Sequence, residues 1–292
     1  MTPQRPGFTG YHFDRADHLR ADEVAQAALR TDRCARLLKL NGFDPVLSAE
    51  GGLEWGSIAD AADDATLILL GLHEGKPHFV ALEPNIADAP LYRSPRIMEI
   101  LAQLAPEEMA VYGAARSLID WHGRHGFCGK CGTVTYVFRG GWGRKCGGCD
   151  TEHFPRVDPV VIMLAEYEGK VLVGRNTSWP EERYSALAGF LELGETIEEA
   201  VARELFEEAG VVATSVRYVT SQPWPFPAQL MIACVAEVES DALTLAPAEL
   251  SDAIWVTKAE VRAALTEDEG AKFLKPPHYA VAHSLLKDWA GD

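Results

Sequence analysis

Three glutamates crowded into one short stretch invite metal chemistry. In GFLELGETIEEAVARELFEEAG, residues 189–210, Ile197, Val201, Glu204 and Glu208 recur at i, i+4, i+7 and i+11, which is one face of a helix. That face begins apolar and ends in carboxylates. Burying an unpaired carboxylate is unfavourable. Glu207 adjoins Glu208, and like charges repel. The helix end that Gly210 marks is itself negative. A divalent cation reverses the sign of all three effects, and an all-oxygen ligand set suits a hard ion, Mg2+ or Mn2+. The competing reading is a solvated surface helix in which Arg203 pairs with Glu199 or Glu207. It leaves Glu204 and Glu208 on the inner face unexplained.

A second group of ligands lies upstream. FCGKCG and KCGGCD place Cys128, Cys131, Cys146 and Cys149 in two CxxC pairs. Each pair can form a tight knuckle presenting two thiolates, and two knuckles complete a tetrahedral Zn2+ site. Four thiolates leave no open position, so the expectation is one structural Zn2+ per chain. His122 and His125 stand nearby but are not needed once four cysteines bind. Tyr136, Phe138, Trp142 and Phe154 are interleaved here with arginines and lysines. That mixture suits base stacking and phosphate contact. The same aromatics would also fill the small core of a zinc ribbon.

The third stretch is SQPWPFP, residues 221–227. Alternate prolines fix φ and forbid helix, which predicts a stiff extended loop. Trp224 and Phe226 on such a loop would make a preorganised apolar wall for a flat ring, and the Gln222 amide would reach a base or nicotinamide edge. A loop that merely caps the core is the alternative.

These groups need elements to hold them. Residues 1–122 read as a mixed α/β domain. Thr66–Leu82 predicts two strands around a Gly-containing turn, and from Pro95 the spacing of Ile97, Ile100, Leu101, Leu104, Met109, Tyr112 and Leu118 is helical. Residues 123–157 are the ribbon. In residues 158–292 strands are predicted at VVIMLAEY, GKVLVGRN, SVRYVT, LMIACVAEV and AIWVT, with the carboxylate helix after the second and a final helix near His278–Trp289. A chain of 292 residues with 47% hydrophobic content has material for two or three compact units. Its net charge of −16 argues against nonspecific binding to nucleic acid or anionic membrane through the field of the whole protein. The N-terminus shows no secretory signal, and no apolar run is long enough to span a membrane. A soluble cytoplasmic protein is therefore the default expectation, and in that setting two CxxC pairs point to metal rather than disulfides.

The stretch from Gly189 to Val211 resembles the Nudix box, G-x5-E-x7-R-E-U-x-E-E-x-G-U with U aliphatic. Gly189, Glu195, Arg203, Glu204, Leu205, Glu207, Glu208, Gly210 and Val211 fill every fixed position. The resemblance implies an α+β chain whose Nudix domain is an α/β/α sandwich around a mixed sheet, hydrolysing a nucleoside diphosphate linked to another group. It makes Glu204, Glu207 and Glu208 metal ligands, Glu208 the central one, with Glu207 or a neighbour taking the proton from water. It pairs Glu195 with Arg203 as scaffold and adds Glu249, in LAPAEL, as a further metal ligand. SQPWPFP and the preceding ribbon resemble the NADH pyrophosphatase branch of the family. That implies cleavage of NADH or NAD+ to NMN(H) and AMP, NAD-capped RNA as a second substrate, and a homodimer. It also implies contacts to the nicotinamide side from Phe154 and Phe190, with Ala282 lining the same pocket. One position departs: branch members carry a small hydroxyl residue near Gln229. Two expectations compete with this one. The first is a Nudix hydrolase for ADP-ribose or a dinucleoside polyphosphate. The second is a nucleic-acid-binding zinc-ribbon protein with a degenerate Nudix domain, against which the complete box counts.

Overall fold

The computed structural model describes residues 5–83 and 95–291. The chain forms two compact units. One comprises Phe8–Val157 with Trp224–Ala228; the other comprises Met1–Gly7, Asp158–Pro223 and Gln229–Asp292.

The unit built on Phe8–Val157 opens with helices α1 (Asp17–Arg20) and α2 (Glu23–Thr31). Asp22 caps α2, its carboxylate accepting from the Val24 and Ala25 N–H groups. Short strands β1 (Arg36–Leu38), β2 (Leu40–Asn41), β3 (Asp44–Pro45) and β4 (Trp55–Gly56) precede the long strands β5 (Thr66–His73) and β6 (Lys76–Leu82). Glu74 and Gly75, both at positive φ, make the two-residue turn of this hairpin. The sheet order is β4-β1-β6-β5, with β1 parallel to β6. Helices α3 (Pro95–Leu101) and α4 (Pro106–Arg124) follow, and α4 packs on β5 and β6. Ile97, Ile100, Leu101, Leu104, Met109, Tyr112 and Leu118 are all buried, as their helical spacing requires.

The ribbon strands β7 (Thr135–Phe138), β8 (Gly143–Cys146) and β9 (Glu152–His153) form a small antiparallel sheet in the same unit. Its turn is anchored to the larger sheet. The Trp142 indole N–H donates to Leu69 O at 2.7 Å, and the Arg20 guanidinium lies 3.8 Å from the Trp142 ring centroid. Gly141 passes so close to β5 that a Cβ there would meet Ile68 Cγ2 at 2.6 Å. Tyr136 and Phe154 are exposed. The expectation that the aromatics fill the ribbon core therefore fails for these two, and Trp142 is committed to β5 instead.

The other unit contains β10 (Asp158–Tyr167), β11 (Lys170–Asn176), β12 (Leu187–Phe190), α5 (Ile197–Ala209), β13 (Ala213–Trp224), β14 (Gln229–Val238), β15 (Leu250–Thr257), α6 (Lys258–Thr266) and α7 (Val281–Ala290). The sheet runs β13-β14-β10-β11-β15, with β12 paired to β10. Strand β10 is parallel to β14 and antiparallel to β11 and β12, so the sheet is mixed. Side chains of β10 alternate between two cores, as a strand period of two demands. Val161, Met163 and Ala165 join Val201 and Leu205 of α5, whereas Ile162 and Leu164 join Val261 of α6 and Leu285 and Leu286 of α7. Helices thus cover both faces, and each fully buried Val, Ile or Leu contributes roughly 1.5–3 kcal/mol. Among the described residues no helix is long and apolar enough to cross a membrane.

Candidate active site

Local chemistry defines both ends of α5. The Thr196 hydroxyl accepts from the Glu199 N–H and the Glu199 carboxylate accepts from the Thr196 N–H, closing a capping box. Gly210, at φ 72°, ends the helix in the left-handed conformation that glycine adopts without strain. The following loop satisfies helix carbonyls that would otherwise be orphaned: Thr244 N–H donates to Ala209 O at 2.8 Å, and Ala246 N–H to Glu208 O at 2.9 Å. Glu249, which directly precedes β15, sits at the end of this loop.

Val201 and Leu205 bury the stem of the helix, and the same face carries Glu204 and Glu208, 9% and 6% exposed. Glu204 lies against Gly189 of β12, where any Cβ would fall inside its carboxylate. The box glycine is thus the slot that admits the box glutamate. Glu207, one position along, is exposed. Arg203 ties the group together. Its Nε and Nη2 donate to the two oxygens of Glu195 at 2.6 and 2.9 Å, a bidentate pair. Its Nη1 donates to Glu204 at 2.8 Å and Glu207 at 3.0 Å, and Nη2 also reaches Phe190 O at 2.8 Å. Arg203 therefore stitches helix, strand β12 and the intervening loop.

The electrostatics follow from this placement. Hydrogen bonding to Arg203 holds Glu195 down at about 2. Burial pushes Glu208 up to about 8, and the charges of Glu204, Glu249 and Glu207 add to the effect. Burial also raises Glu204, against the pull of Arg203. Glu204 and Glu208, both short of water, thus feel each other and the charges of Glu207 on the same helix and Glu249 in the loop before β15. The donor set is all carboxylate oxygen, which fits a hard divalent cation. The carboxylates are not gathered as tightly as the cysteines, and the Arg203 guanidinium reaches both Glu204 and Glu207.

Among the described residues, Cys128, Cys131, Cys146 and Cys149 form the group whose ligand atoms all lie within 4.8 Å of one another. Cys128 Sγ is 3.8 Å from Cys149 Sγ, and Cys131 Sγ is 3.4 Å from Cys146 Sγ. A tetrahedron with Zn–S bonds of about 2.3 Å has edges of about 3.8 Å, so the four sulfurs fit zinc. The two knuckles repeat one geometry. Lys130 N–H donates to Cys128 Sγ and Gly148 N–H to Cys146 Sγ, each from two residues on. Neither upstream histidine joins them: His122 Nε2 is 2.7 Å from Gly141 O and His125 Nδ1 is 2.7 Å from Trp121 O. The histidine that does approach is His153, whose Nε2 lies 3.3 Å from Cys128 Sγ. Sequence reading missed it, although it stands four residues after the last cysteine.

Residues 155–275 match the NUDIX domain model, and residues 124–154 match the NADH pyrophosphatase zinc ribbon domain. The NAD-capped RNA hydrolase NudC of Mycobacterium bovis is 35% identical over 95% of this chain and 92% of its own length. The chain belongs to the Nudix family. The human NAD-capped RNA hydrolase NUDT12 is 42% identical over 66% of this chain, which spans only 44% of that relative. Among solved structures, a NUDIX hydrolase from Nitrosomonas europaea is 22% identical, with a TM-score of 0.46, covering 56% of this chain and 90% of that one.

The remaining site candidates of this Nudix chain divide. Phe154 and Phe190 are 50% and 54% exposed and free to meet a ligand. Trp224 and Phe226 are half-buried, with ring centroids 5.3 Å apart, and both meet Phe8 edge-on. The Phe226–Pro227 peptide is cis. Gln222 does not offer its amide outward, as the sequence suggested. It is 0% exposed, its NH2 donates to Gly7 O and Tyr279 O, and its carbonyl accepts from Val281 N–H. It is a structural staple. Ala282 likewise lies buried in the α6–α7 core. Gln229 begins β14 opposite Asp158.

Proposed function

We propose that this chain hydrolyses the pyrophosphate bond of NADH and NAD+, giving NMN(H) and AMP, and cleaves the same bond at the 5′ end of NAD-capped RNA. The observation that carries the reading is the burial of Glu204 and Glu208 together on α5, beside Glu207 and Glu249, within a complete Nudix box. The zinc ribbon match and the names of the relatives that align with this chain support the choice of substrate. Glu204, Glu207, Glu208 and Glu249 would hold Mg2+ or Mn2+, whose chemistry when bound is to neutralise the pyrophosphate and acidify its attacking water. Arg203 keeps Glu204 oriented through Glu195. Glu207, exposed beside the buried pair, or a neighbouring glutamate would take the proton from water. Phe154, Phe190, Trp224 and Phe226 contact the nicotinamide end. The four cysteines hold one structural Zn2+, and the protein acts as a cytoplasmic homodimer.

The test is a substrate panel with Mg2+ and with Mn2+: NADH, NAD+, NAD-capped RNA, ADP-ribose and diadenosine polyphosphates, with products weighed by mass spectrometry. NMN(H) and AMP from NADH at the highest kcat/KM among the free nucleotides is the expected result. Preference for ADP-ribose or a dinucleoside polyphosphate would replace this reading with the other Nudix activity.

A further inference from the structure

The segment Trp224–Ala228 packs within the same unit as α4, and the two are joined by a specific set of contacts. Pro223, Pro225 and Pro227 have no N–H groups, so this stretch has few donors with which to tie itself down. Its carbonyls are held from outside. Arg116 Nη1 donates to Pro225 O at 2.6 Å, and Ser117 Oγ donates to Pro227 O at 3.0 Å. The Arg116 guanidinium also lies 4.6 Å from the Phe226 ring centroid and 4.9 Å from that of Phe43. Gly113 completes the cradle: a Cβ there would sit 3.0 Å from Phe8 Cδ1 and 3.4 Å from Pro225 Cγ. Positions 113, 116 and 117 are i, i+3 and i+4, one face of α4.

Arg116 is 2% exposed. Burying a guanidinium is unfavourable, and an apolar side chain of similar volume would fill the space with less penalty. What an apolar residue cannot do is fix a backbone carbonyl and an aromatic ring of one segment at once, which the planar fork of arginine does. We infer that Arg116, assisted by Ser117, is a positioning residue that holds Trp224 and Phe226 in their ring-binding arrangement, so that helix α4 sets the selectivity for nicotinamide. This rests on the reading of those two rings as the substrate wall.

The experiment compares kcat and KM for NADH and for ADP-ribose, which lacks nicotinamide, in wild type, Arg116→Met, Arg116→Lys, Ser117→Ala, Trp224→Ala and the Arg116→Met/Trp224→Ala double variant. Thermal melting of each shows which variants fold. Arg116→Met should raise KM for NADH about tenfold with kcat little altered, lowering the NADH to ADP-ribose ratio of kcat/KM. Arg116→Lys keeps the charge but not the fork and should fall between. Because Arg116 acts through the wall, adding Arg116→Met to Trp224→Ala should change the ratio little further. A lowered ratio in Trp224→Ala alone, with the Arg116 and Ser117 variants losing both substrates equally or neither, overturns the positioning role. An unchanged ratio in Trp224→Ala overturns the wall and this inference with it. If Arg116→Met does not fold, Arg116→Lys and Ser117→Ala decide by the same ratio.

Discussion

At Glu208 the protein keeps a carboxylate where water barely reaches and three other glutamates oppose its charge. Its folded value, about 8, lies above the 4.5 of a free glutamate, so the native state holds a proton that the unfolded chain gives up. Without added Mg2+ or Mn2+, the stability Glu208 contributes is therefore full below about pH 4.5 and lost as pH rises to about 8. Glu208→Gln should flatten that slope in thermal melts and lower kcat by at least about a hundredfold. Added cation should stabilise wild type by about 2.7 kcal/mol at a hundredfold excess over Kd, and the variant by less. A variant that melts far lower without cation would make Glu208 a structural partner instead. The inward aim of Glu204 and Glu208 was legible because helical period links them to Ile197 and Val201. Gln222 was not legible: its partners include the Gly7 carbonyl, 215 positions away, and no local pattern encodes that distance.

Strand β12 and helix α5 work as a pair, and Gly189 is the point at which they meet. Gly189→Ala should place a methyl group against the Glu204 carboxylate, destabilise the protein by about 1–3 kcal/mol, and depress activity further than that loss of stability explains. Melting and steady-state rates on the same preparation check it; wild-type activity in the variant would mean that Glu204 can move aside at no functional cost. The ribbon makes a separate prediction. Stripping zinc should raise amide exchange across β7–β9, since the knuckles have little else to hold them. Unaltered exchange after complete metal loss would show that anchoring to β5 suffices. Strands β5, β6, β10, β11, β14 and β15 and part of β13 were readable from apolar runs and the Gly-containing turn, whereas the shorter β1–β4, β7–β9 and β12 were not. The SQPWPFP stretch was read as loop throughout, yet β13 continues through Trp224. Strand β13 lies at the sheet edge, where a proline such as Pro223 sacrifices no obligatory ladder bond.

The whole molecule carries a net charge of −16 while leaving large apolar side chains such as Leu193, Phe206 and Tyr218 exposed. Apolar residues exposed singly are ordinary on a protein surface, so the proposed homodimer rests on the resemblance to the NADH pyrophosphatase branch. Sedimentation at assay concentrations should find a dimer, and a fully active monomer would remove that proposal. The division into 1–122, 123–157 and 158–292 followed composition, and composition does not register that the ribbon turn is fastened to β5. The contact of Gly141 with Ile68 has a consequence for recombination. A ribbon transplanted from a relative brings its own residue at the position of Gly141, and a larger one there has to find a smaller partner at the position of Ile68. The two positions are inherited well only together, so the ribbon is a poor interchangeable cassette despite its self-sufficient set of cysteines. Chimeras that exchange residues 123–157 alone should express poorly wherever that glycine is lost, and recover only in part when the facing β5 residue is exchanged with it, because position 141 also holds φ at 93°, which residues other than glycine adopt with strain.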